Sequence, residues 1–141
     1  MTHPTDIQDL ADLRLAEAEG LVSLGFPDGA FYLAGYAAEL YLKSKICESL
    51  KLPNFYDQYA PKSDLSKTFL IHNLERLMLL SGLLLEFEAE KSSNVPFLSD
   101  WQKIQEWSEK NRYDLRGSHT IADATVFINA IKNLIQWIKT K

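Results

Sequence analysis

Residues 28–50 constrain the fold more than any other stretch. Ala30, Phe31, Leu33, Ala34, Ala37, Ala38, Leu40, Tyr41 and Leu42 cover most of a helical circumference, and a helix that is apolar nearly all round belongs at the centre of a bundle. Gly35 and the alanines remove side-chain bulk, so a neighbour can come close along that surface. Just upstream, Gly25-Phe26-Pro27-Asp28-Gly29 sets a C-terminal glycine, a proline and an N-cap candidate within five residues. That is a tight turn between antiparallel helices, the product being an αα-hairpin. The partner helix, about 6 to 24, is carried by Ile7, Leu10, Leu13, Ala18, Leu21 and Val22, with Thr5 and Gln8 at capping-box spacing.

Downstream the period weakens and returns. Residues 51–66 hold two prolines and three aromatics, Phe55, Tyr56 and Tyr59, without a repeat, and read as an irregular connection. Leu70, Leu74, Leu77, Met78 and Leu80 predict a third helix over roughly 68–81, ended by Ser81-Gly82, with a shorter helix around 83–92. Ser99 and Gln102 have capping-box spacing at the start of a short helix through Trp101, Ile104 and Trp107, whose tryptophans are read as packing it onto the bundle. Residues 108–119 are polar, contain Gly117 and lack an apolar stripe, which predicts a loop. Thr120 then caps a last helix over about 121–139 through Phe127, Ile128, Ile131, Leu134, Ile135 and Ile138. The expectation is one all-α domain spanning 1–141, an up-and-down four-helix bundle with one or two extra short helices.

Composition narrows the function classes. The 141 residues include one cysteine, Cys47, which excludes an internal disulfide, a thiol metal cluster and a CxxC redox pair, and fits a reducing, cytoplasmic setting. A polar, acidic start and the lack of a 20-residue apolar run point to a soluble chain with no secretory signal and no membrane span. No metal box, phosphate-cradling glycine loop or cofactor motif is present, so neither a metal nor a cofactor is expected. The net charge of −4 hides an asymmetry: residues 1–109 carry 9 Lys/Arg against 17 Asp/Glu, whereas residues 110–141 carry 6 against 2. Either that basic end attracts a phosphate, or Lys132, Lys139 and Lys141 complement the terminal helix dipole. On the central helix Tyr32, Tyr36, Glu39 and Lys43 share one face, read either as half-exposed with a Glu39–Lys43 ion pair or as the wall of a cleft.

Three pieces, in order, carry a family resemblance: the stretch from Gly29 to Lys43 with Ala37, Glu39, Leu42 and Lys43 at its core, the run Ile71-His72-Asn73-Leu74-Glu75-Arg76-Leu77 opening the third helix, and Asn111-Arg112-Tyr113-Asp114 ahead of the last helix. Together they resemble the HEPN domains, named for nucleotide binding in higher eukaryotes and prokaryotes, over nearly the whole chain. The resemblance implies a four- to five-helix bundle that pairs as a homodimer. Many such domains are metal-independent ribonucleases of toxin–antitoxin or defence systems with an Arg-x(4–6)-His motif; others are non-catalytic modules that associate with a small nucleotidyltransferase and bind nucleotides or partners.

Arg112 and His119 enclose six residues, at the outer limit of that motif. Such a pair can cleave RNA: imidazole takes the proton of a ribose 2′-hydroxyl and guanidinium stabilises charge on the phosphorane. The plainer reading has His119 helping to cap the last helix and Arg112 paired with Glu39 or a helix-end carbonyl. Arg116, Tyr113, Glu39 and Lys43 are the accompanying candidates for contact with a nucleotide or RNA phosphate. His72, where the family places a histidine, is read as a helix-terminal or partly buried, satisfied residue.

Overall fold

The computed structural model describes residues 3–53, 55 and 70–141. Most of the connection expected over 51–66, and residues 68–69 of the expected third helix, lie outside the described residues. Among the described residues the chain is all-helical, with no strand. Helices α1 (Pro4–Ser23) and α2 (Pro27–Leu50) are followed by α3 (Leu74–Leu80), α4 (Leu84–Ser93) and α5 (Val95–Ile104). A 3₁₀ turn over Glu109–Tyr113 precedes α6 (Ile121–Lys139).

Helix α2 is the hub. It packs along α1, against α6 and against α3 and the 3₁₀ turn, while α6 also packs on α5. Ala30, Ala34, Ala38, Leu42 and Ile46 of α2 are buried with Phe127, Ile131, Leu134 and Ile138 of α6 in one apolar cluster. Each fully buried Leu, Ile or Phe side chain among these contributes about 1.5–3 kcal/mol of transfer free energy. Trp101 and Trp107 are buried in the same cluster. No helix among the described residues is long and apolar enough to cross a membrane.

Local chemistry explains where the helices begin, and it moves three expected starts. Helix α1 opens at Pro4, whose fixed φ and missing N–H suit the first helical position. His3 is its N-cap, with Nδ1 accepting the Thr5 N–H at 3.2 Å. Thr5 is therefore not the cap, and Gln8 instead donates across to Ser44 at 3.2 Å and Glu48 at 2.9 Å on α2. Helix α5 opens at Val95 rather than near Ser99, because Asn94 accepts the Phe97 N–H at 3.1 Å and Pro96 occupies the first turn. Ser99 lies inside that helix. Asn73 caps α3 by accepting the Arg76 N–H at 2.9 Å, so the third helix starts at Leu74 and Leu70–Asn73 stay non-helical. The turn at Gly25 is as expected, with φ +85°.

Gly35 permits a close approach, but the neighbour is a side chain rather than a helix. The Trp107 indole lies directly on its Cα, where any Cβ would overlap the ring. Trp107 Nε1 donates to the Tyr32 carbonyl at 3.1 Å, tying the segment after α5 to the first half of α2.

Candidate functional site

The polar stretch before α6 is more ordered in its hydrogen bonding than its composition suggests. Ser108 and Asn111 form a reciprocal cap: Ser108 Oγ accepts the Lys110 N–H at 3.1 Å and Asn111 Oδ1 accepts the Ser108 N–H at 2.6 Å. This winds residues 109–113 into a 3₁₀ turn where a loop was expected, and puts Arg112 and Tyr113 on it. Gly117, at φ +88°, turns the chain back. Thr120 caps α6 as expected, in a capping box with Asp123.

Asp28 holds this loop against the bundle. Its two carboxylate oxygens each accept a backbone amide, Gly117 N–H and His119 N–H, both at 2.8 Å. The sequence marks Asp28 as an N-cap, yet α2 is capped by Phe26 without a side-chain bond, and Asp28 sits one position past Pro27 with its carboxylate turned to the loop. Such charge-assisted bonds are stronger than neutral ones.

His119 is held on three sides. Its ring stacks on Phe31, with centroids 3.9 Å apart and planes at 13°, and Nε2 lies 2.9 Å from Asp114 Oδ2. Bonds from the Asn111 amide and from His119 hold the Asp114 carboxyl below the usual carboxylate range. An ionised carboxylate only accepts, so Nε2 carries the proton and a neutral ring keeps its lone pair on Nδ1. The side chain remains 18% exposed and borders a cleft of about 470 Å³ with Phe31, Lys103, Ser118 and Phe127.

Arg112 sits on the 3₁₀ turn. It is exposed, with its guanidinium 4.8 Å above the ring of Tyr113, which is itself 72% exposed. It is not among the residues lining the His119 cleft, and it does not pair with Glu39. Arg116 is exposed and lines a different cleft with Phe26 and Gly29. Among the described residues, Lys110, Arg112 and Arg116 have no carboxylate partner. The other three cations of residues 110–141 do: Lys132 reaches Glu19 at 2.8 Å, Lys139 reaches Asp12 at 3.8 Å and Lys141 reaches Glu86 at 4.0 Å.

Glu39 and Lys43 do not join the loop. Both are buried, against the expectation of a half-exposed face, with Lys43 Nζ 3.2 Å from Glu39 Oε2. The other oxygen, Oε1, is 2.8 Å from Nδ1 of His72, whose side chain is 49% exposed. Lys43 Nζ also lies 5.5 Å from the centre of the buried Phe55 ring. The polar stripe on α2 is thus an internal anchor for Phe55 and His72. The resemblance pointed to His72, but nothing local identified Glu39 as its partner.

Asp114 and Phe31 are further residues that reasoning from the sequence missed. The Asp-x(4)-His spacing was available as a signal for the first; the stack of Phe31 on His119 spans 88 positions and had none. Among the described residues no group of three His, Cys, Asp or Glu side chains is placed to hold a metal ion. Comparison of the chain with family models, with curated proteins and with solved structures finds no match.

Proposed function

We propose that the chain is a HEPN-like domain that binds the phosphate of a nucleotide or RNA through the loop carrying Arg112 and Arg116, and that it acts there as a binding module. One observation carries this reading: of the six cations in residues 110–141, Lys132 and Lys139 on α6 and Lys141 just beyond it are paired with acids of the bundle, and the three of the loop segment have no acid partner among the described residues. Exposed guanidinium groups without carboxylates are free to make bidentate contacts to phosphate. Tyr113 beside Arg112 adds an aromatic face to the same surface. Glu39 and Lys43 have no part in this binding, because their charges satisfy each other inside the bundle. The family resemblance supports a homodimer, in which two such loops line one groove.

A ribonuclease reading is favoured by a separate observation, the Asp114–His119 pair at the edge of a cleft, since a carboxylate holding one imidazole nitrogen prepares the other to take a proton. It needs Arg112, or the same residue of a second copy, beside that imidazole. One experiment separates the two. Purified protein and a His119→Ala version are incubated with labelled single-stranded RNA in chelator. Retention of intact RNA by both is expected. Cleavage by the wild type that disappears in His119→Ala would establish the ribonuclease reading instead, and no retention at low salt would remove the phosphate reading.

A further inference from the structure

The cleft that contains Arg116 is built from the α1–α2 turn. Gly25, Phe26, Pro27 and Gly29 line it on one side, and Arg116 and Gly117 on the other, around a volume of about 470 Å³. That is within the range of small-ligand sites, roughly 300–1,000 Å³. Phe26 is 59% exposed. A single exposed aromatic on a convex surface is unremarkable, but this one stands in a concavity with an unpaired guanidinium in the same lining. The two sides are fixed relative to each other by Asp28, which holds the Gly117 and His119 amides at 2.8 Å each. Asp28 is also the acid in this lining. With both its oxygens on loop amides, Arg116 is left as the group available to an anion.

We infer that this cleft is the base-binding subsite for a single nucleoside 5′-phosphate, with the base stacked on Phe26 and the phosphate held by Arg116. The inference rests on the phosphate-binding reading of the loop and extends it by naming the platform and the unit recognised. An aromatic face accepts any base, so the site discriminates nucleotides from sugar phosphates more than one base from another. Gly25, at φ +85° with open space where a side chain would stand, keeps the wall low beside Phe26.

The test compares AMP, ribose 5-phosphate and inorganic phosphate by calorimetric titration of the full chain. AMP is expected to bind about tenfold more tightly than ribose 5-phosphate, the scale of one base–aromatic stack. Phe26→Ser removes that advantage and leaves ribose 5-phosphate affinity unchanged, Phe26→Tyr keeps it, and Arg116→Ala weakens all three ligands. Equal affinity of the wild type for AMP and ribose 5-phosphate, or an AMP advantage that survives Phe26→Ser, overturns the stacking subsite while leaving phosphate binding standing. No binding of any of the three overturns both readings. Thermal melts of the variants, altered at exposed positions, verify that each is folded.

Discussion

The imidazole of His119 lies flat against the phenyl ring of Phe31, 3.9 Å between centroids, and its Nε2 faces Asp114 at 2.9 Å. Phe31 stacks in turn on Phe127 of α6, again at 3.9 Å. His119 is therefore part of the junction between α2, α6 and the loop, whatever ligand the loop meets. Substituting it by alanine removes a ring stack and one partner of a polar pair; a loss of about 1–3 kcal/mol is expected, read as a lower midpoint in urea unfolding.

The Asp114 pair makes stability depend on acid. The folded-state pKa of Asp114 is lowered by Asn111 first and His119 second, so its contribution is present above the ordinary carboxylate pKa of about 3.9 and is lost as pH falls through the lower folded value. Asp123, lowered by its bonds with Thr120, behaves in the same sense. Melting temperatures measured from pH 6 down to pH 2 should fall for the wild type and fall less steeply for an Asp114→Asn, Asp123→Asn double variant. Parallel curves would show that other carboxylates set the acid limit.

Burial of the Glu39–Lys43 pair predicts an asymmetric response to mutation. Lys43→Met leaves the Glu39 carboxylate buried with only His72 as partner, and a loss of about 3–5 kcal/mol follows from stranding one charge. Replacing both, Glu39→Leu with Lys43→Met, should recover most of that loss, because no charge is then left in the core. Chemical denaturation of the two single variants and the double gives the coupling directly, and additive losses would contradict the pairing.

At Gly35 the expectation runs against helix propensity. Alanine in place of glycine ordinarily favours a helix by about 1 kcal/mol, but here the added methyl would occupy the Trp107 ring position. Overpacking of this kind costs about 1–3 kcal/mol, so Gly35→Ala should be net destabilising. Combining it with Trp107→Leu should show a favourable coupling in a double-mutant cycle, since the clash partner is gone.

Salt dependence counts the phosphate contacts. For single-stranded RNA each neutralised phosphate contributes a slope of about −0.7 in log affinity against log salt. Arg112→Ala and Arg116→Ala should each weaken RNA retention and reduce the slope by about that amount, whereas Lys132→Ala, whose charge is already matched by Glu19, should leave it unchanged. An unchanged slope in both arginine variants would move the binding surface away from this loop.

The hairpin of α1 and α2, the turn at Gly25 and the Thr120 cap of α6 were legible in the sequence because each depends on residues within about one helical turn: a glycine free to take positive φ, a proline at a first turn, a hydroxyl three residues before its partner. The start of α5 was misplaced for the same kind of reason, since Asn94 with Pro96 is a stronger local signal than Ser99 with Gln102. What the chain alone could not supply were pairings between distant positions: Asp28 with the amides of Gly117 and His119, Glu39 with His72, and the Trp107 ring on Gly35. A carboxylate, an imidazole or an indole has several chemically equivalent partners along 141 residues, and only the packing of α2 against the segments that follow it selects one.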